Sequence, residues 1–127
     1  MLIAAIAIVA TAVCAVILFY SILMEQIFDD LKANAHVMSM IDLEYIPEEV
    51  HQRLDKDGLR ITLIDADGKV IYDSVENQER MENHRGRPEV ELAFETGEGR
   101  GMRTSTTSAK HTFYYAMLLS DGNVLRI

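Results

Sequence analysis

"TFYYAMLLSDGNVLRI", Thr112–Ile127, is the stretch whose reading decides the fold. Side chains alternate across a strand, so Phe113, Tyr115, Met117 and Leu119 share one face, and Tyr114, Ala116 and Leu118 the other. Both faces are apolar, which predicts a strand inside a sheet covered on each side. "DGN" (121–123) turns the chain and "VLRI" returns it as a last strand. Upstream, "GMRTSTTS" (101–108) reads as the other arm of a hairpin across "AKH". Further back, "LRITLID" (59–65) and "KVIYDS" (69–74) alternate about the turn "ADG", a second hairpin signal.

Helical segments must supply the covers. "RPEVELAFE" (87–95) reads as a short helix, with Pro88 at its first position, Glu89 and Glu91 in its first turn, and Gly97 and Gly99 closing it. "IPEEVHQRL" (46–54) reads as another, opened by Pro47 and ended by "DKDG". Ahead of them lies a chain without proline or glycine up to Pro47. Within it, Ile27, Leu31, Met38, Ile41 and Tyr45 continue a 4-3-4-3-4 series when Asn34 fills one seam position. Such a stripe packs on its own domain, pairs with a second copy, or does both in part. A polar Asn34 in the seam suits register selection in a dimer. The order is then a long helix, a short helix, two strands, a helix and three strands, an α+β domain with one five-stranded antiparallel sheet.

Residues 1–24 contain no charge, no proline and no glycine. As a helix they run roughly 36 Å, enough for a hydrocarbon core of roughly 30 Å. A cleaved signal peptide is disfavoured, because no basic segment precedes the run and the run is too long. Every charge lies beyond it, and twenty acidic against twelve basic residues leave a net charge of −8, which argues against a nucleic-acid surface. Glu25, Asp29 and Asp30 outnumber Lys32 just after the span, so residues 25–127 are expected outside the cell membrane. The single cysteine, Cys14, falls in the span, so the outer part has no disulfide.

These segments, taken in order, resemble a known family. "LRITLIDADGKVIYDS", "MENHRGRPEVELAFETGEG", "RTSTTSAK", "FYYAMLLSDG" and "VLRI" are similar to the extracytoplasmic PAS-like (Cache-type) sensor domains of bacterial membrane histidine kinases, nearest the phosphate-regulon type of Gram-positive bacteria. The resemblance covers roughly residues 25–127. It implies a homodimeric receptor, with a second span and a kinase module that uses ATP and Mg²⁺ and phosphorylates a response regulator. None of those later parts lies in this sequence, so the 127 residues are expected to be a non-catalytic piece of a longer protein that itself needs no cofactor. One departure is the basic run Arg85-Gly86-Arg87, where relatives often carry an acidic residue.

That run marks the candidate site. A helix N-terminus at Pro88 offers backbone N–H groups, and arginines beside it add charge-assisted bonds to a carboxylate or phosphate. His84, Arg85, Arg87, Arg103 and Tyr115 are the expected ligand-binding set for a small anion. Competing with that, the arginines have Glu76, Glu79, Glu82, Glu89 and Glu91 to neutralise. "DADG" (65–68) lacks the spacing and terminal glutamate of a calcium loop and reads as a turn. His36, His51, His84 and His111 show no metal-ligand spacing. No base is paired with a nucleophile. The expected function is outer sensing relayed inward through the long helix, with Ile27, Leu31, Asn34, Met38 and Ile41 as its dimer face. The alternative is a membrane-anchored assembly domain that binds a protein partner and no small molecule.

Overall fold

The computed structural model describes residues 1–41, 45–104 and 110–127. Among them are helices α1 (Leu2–Met38), α2 (Glu48–Lys56) and α3 (Pro88–Thr96). The strands are β1 (Thr62–Ile64), β2 (Val70–Asp73), β3 (Glu98–Thr104), β4 (His111–Leu118) and β5 (Val124–Arg126). All pair antiparallel in one sheet of order β2-β1-β5-β4-β3. The α+β architecture expected from the alternation is the one observed.

α1 is continuous from its apolar beginning to the sheet. It ends earlier than the stripe through Ile41 and Tyr45 suggested. The Ser39 N–H donates to the Ala35 carbonyl, and the Ser39 hydroxyl donates back to the His36 carbonyl at 2.7 Å. The chain then tightens, with Met40 and Ile41 donating three residues back, to Val37 and Met38. Ile41 therefore lies past the helix and is exposed. A serine bonding its own backbone stops this helix where no proline or glycine does.

Each face of β4 is covered, as its double alternation demands. Tyr115, with Ile61, Leu125 and Ile127, packs under Ala35 of α1 and Leu54 of α2, and Leu31 and Met38 join that layer. Ala116, with Ile64, Val70 and Val124, packs under Val90 and Ala93 of α3. Fully burying side chains such as Ile61, Ile64 and Leu125 contributes about 1.5–3 kcal/mol each.

Two boundaries moved for physical reasons. Gly97 ends α3 in the left-handed conformation, φ +94°, with its N–H on the Ala93 carbonyl. Gly99 is no stop signal, since β3 already begins at Glu98 and pairs Glu98 with Met117 through Thr104 with His111. The far part of the expected 101–108 strand and Ala109 of its "AKH" turn lie outside the described residues.

Candidate functional site

Strand alternation brings a set of polar side chains onto the α3 face of the sheet, toward one end of it. Thr62 faces Asp73 across β1 and β2 and Arg126 across β1 and β5. Arg103 leads the same face of β3. Over them sits the first turn of α3, and glycines decide how closely. A Cβ on Gly99 would stand 2.0 Å from the Glu89 carbonyl oxygen, and one on Gly101 2.9 Å from the Glu89 carboxylate. With neither present, α3 rests on β3 and lowers Glu89 into the sheet.

Glu89 is 1% exposed, and it is satisfied. Arg103 Nη2 donates to its two oxygens at 2.7 and 2.8 Å, and Arg126 Nη1 reaches it at 3.4 Å. Arg126 also donates to the Thr62 hydroxyl at 3.2 Å. The guanidinium of Arg103 lies 4.4 Å, and that of Arg126 5.3 Å, from the centre of the Tyr114 ring. Asp73 is equally occupied. It accepts from Arg60 Nε at 3.0 Å, from the Thr62 hydroxyl, and from the Val75 and Glu76 N–H groups. Burial alone would raise its pKa, but the bonds from Glu76, Arg60, Val75 and Thr62 outweigh it and hold the carboxyl below its usual value.

His84 borders this cluster. Its backbone N–H donates to the Gly68 carbonyl, and Asn83 and Arg85 grip the same hairpin turn through the Asp67 and Ala66 carbonyls. The ring is 5% exposed, and its Nδ1 has no hydrogen-bond partner among the described residues. Burial, then the positive charges of Arg126, Arg87 and Arg60, push its pKa down to about 4, against a smaller pull from Asp73. Arg87 is the N-cap of α3, and its half-buried side chain makes neither a capping bond nor an ion pair among the described residues.

Of the expected site residues, His84, Arg87 and Arg103 lie on the α3 side. Arg85 sits at the rim, turned to the Ala66 carbonyl with its guanidinium 4.0 Å from the Phe94 ring centre. Tyr115 does not join them. It occupies the opposite face, where its hydroxyl donates to Glu98 at 2.6 Å beside Lys32 of α1, also at 2.6 Å. Burial and the Glu98 carboxylate raise the Tyr115 pKa, while the bonds from Lys32 and Tyr115 lower that of Glu98.

The sequence reading missed Arg60, Thr62, Asp73 and Arg126 as members of this cluster, and it took Glu89 for a partner of the loop arginines, where the structure pairs it with Arg103 and Arg126. One signal was present: Arg126, between Leu125 and Ile127, faces the same way as Val124, onto a sheet face that must be covered. No group of side chains suited to a metal ion occurs among the described residues.

A five-stranded antiparallel sheet of this order, with a long N-terminal helix on one face and a short helix on the other, is a PAS-like sensory fold. Residues 32–125 match the family described as single Cache-like, and the chain belongs to that family. Its domains are extracytoplasmic sensor modules and not catalysts. The membrane tether this calls for has a counterpart in α1, which is long and apolar enough to cross a bilayer. The crystal structure of the Bacillus subtilis YkuI protein, with an EAL domain, in complex with substrate c-di-GMP and calcium, is similar in fold. It superposes on 81% of this chain with a TM-score of 0.50 at 13% identity, and the chain spans 31% of that protein's length. A comparison with curated proteins finds no match.

Proposed function

We propose that residues 25–127 are the outer sensing module of a two-component histidine kinase of the phosphate-regulon type, held by α1 in the membrane. Two copies act together, and α1 relays the stimulus inward to control transfer of phosphate to a response regulator. The observation that carries this reading is the unbroken α1, one rod whose first part suits a bilayer and whose last part is fastened to the sensory sheet. The fastening is specific. Lys32 reaches Glu98, Arg100 reaches Glu25 at 3.1 Å, and Phe28 meets the Phe113 ring edge-on at 5.9 Å between centroids. A change in the sheet therefore has a stiff path to the membrane, and a difference in contacts between two states moves an equilibrium.

The test needs no knowledge of the stimulus. Residues 1–127 are joined through Ile127 to the second span and kinase core of a phosphate-regulon-type kinase. One to four alanines are then inserted between Met24 and Glu25. Each residue turns the helix by about 100°. Kinase output should rise and fall with the helical period. Output indifferent to every insertion rejects the relay.

A further inference from the structure

The contacts of α1 fix how the sheet stands relative to a bilayer crossed by that helix. Phe28 meets Phe113 at 5.9 Å between ring centroids, and Met38 lines one hollow with Leu119, Asp121 and Asn123. From Phe28 to Met38 the helix rises roughly 15 Å, while the chain from Phe113 to Leu119 extends roughly 20 Å. β4 therefore climbs away from the membrane, and its beginning is the low end of the sheet. Carried back along the same slope, His111 and its partner Thr104 stand about 5 Å below Phe28, level with Glu25. Arg100 agrees with that height by reaching Glu25 at 3.1 Å. So does Met24, which is half-buried where every residue before it is exposed. The folded domain thus begins where the uncharged run ends, at the depth of the lipid headgroups.

The charge at this end is one-sided. Between Glu98 and Asp121 there is no acidic residue, while Arg100, Arg103 and Lys110 are basic, in a chain of net charge −8. Arg103 is held by Glu89, and Arg100 gives one bond to Glu25. Lys110 is exposed and makes no ion pair among the described residues. Asp29 and Asp30 lie a turn further out along α1, and Asp57 precedes Gly58, which lines a hollow with Leu31, higher still. Met102, 48% exposed, shares a face of β3 with Arg100.

We propose that this low end of the sheet rests on the outer leaflet, with Lys110 and Arg100 bonding the phosphates of anionic lipids and Met102 packed at the headgroup boundary. The contact needs α1 to cross the bilayer and needs nothing of the kinase reading. An ammonium carries three donors on a flexible stem, so Lys110 follows a mobile phosphate while its stem lies along apolar surface. The Arg100 guanidinium keeps donors beyond the one given to Glu25. An anionic leaflet attracts basic residues only within about a Debye length, which is the distance this end occupies. Lipid charge then acts on β3, the strand that grips α1 through Glu98 and Arg100.

The test uses the full chain with Cys14→Ala, in nanodiscs of phosphatidylcholine with or without phosphatidylglycerol. A nitroxide is attached to a single cysteine at Thr104→Cys, Asp121→Cys or Val13→Cys, and its contact with oxygen and with a neutral nickel chelate is read by electron paramagnetic resonance. The Val13 label should show high oxygen and low nickel contact, as a membrane span does. The Asp121 label should meet nickel freely in both lipids. At Thr104, nickel contact should fall at least about twofold when phosphatidylglycerol is added, since each basic residue near an anionic surface favours contact about fivefold. Lys110→Gln, or high salt, should restore most of that contact. Thr112→Cys carries the label if the Thr104→Cys variant does not fold. Nickel contact at Thr104 as free as at Asp121 in both lipids overturns the proposal and leaves this end to water or a protein partner. Protection equal in both lipids and indifferent to Lys110→Gln overturns it as well, because charge then plays no part. A Val13 label open to nickel overturns it together with the span it needs. With the span intact, periodic kinase output in the alanine scan stands whatever the Thr104 label reports, so the two ideas fail separately.

Discussion

At the scale of single residues, His84 and Asp73 give opposite faces of the same electrostatics. The folded protein holds His84 near pKa 4, below the ordinary value near 6.5 that the unfolded chain shows. Between these values the unfolded state binds more protons, so stability falls as pH drops from about 6.5 toward 4. Asp73 acts lower on the scale. Its folded pKa lies below the ordinary carboxylate value near 4, so its contribution is present above that value and is lost only as pH falls through the depressed one. Urea midpoints taken at pH 7, 5.5 and 4.5 should therefore decline, and His84→Gln should flatten the decline. A variant that loses stability with pH as steeply as the parent would show that His84 does not carry the effect.

At the scale of elements, the docking of α3 on β3 depends on an absent side chain. Gly99→Ala places its Cβ against the Glu89 carbonyl, a backbone atom that yields only if the helix moves. The expected cost is about 1–3 kcal/mol, with Glu89 lifted away from Arg103. Gly86→Ala meets open space and should cost well under about 1 kcal/mol, so thermal melts of the two variants separate packing from a general glycine effect. Gly99 also shows where the sequence ceases to be readable. The helix at 87–95, the turn at Gly68 and the double alternation of β4 were legible because each is local chemistry: a proline start, a hairpin turn, a period of two. Gly97 and Gly99 look alike as punctuation, yet one caps a helix in the left-handed region and the other admits a neighbouring element. Ser39 stopping α1 is similarly silent, since a serine inside a helical run carries no fixed meaning. In the site, the basic loop at His84–Arg87 stood out by composition. Its partners did not, because Arg126 meets Glu89 and Thr62 only after the sheet has assembled.

At the scale of the whole molecule, α1 has two jobs, and its surface divides between them. Leu31, Ala35 and Met38 lie in the layer of the domain's own core, with Ile27 and Asn34 half-buried beside it. The apolar stripe read as a seam for a second copy is thus engaged at home along much of its length. If two chains pair along the aqueous part of the helix, as proposed, the side left open to them is the one where Ala33 is exposed and Val37 is 56% exposed. These two are four residues apart and share one face. In a Cys14→Ala background, single cysteines at Ala33 or Val37 should join two copies in membranes under mild oxidation. Cysteines at Leu31 or Met38 should not, since their sulfur is held against Tyr115 and its neighbours in each protomer. Two copies paired along the membrane segment alone would give weak products at all four positions, and the aqueous helix would then belong to the sensory domain of each chain by itself. Strong products at Leu31 and Met38 would mean that α1 leaves its sheet in the membrane-bound state, which the bridges of Glu25, Lys32 and Phe28 to β3 and β4 oppose.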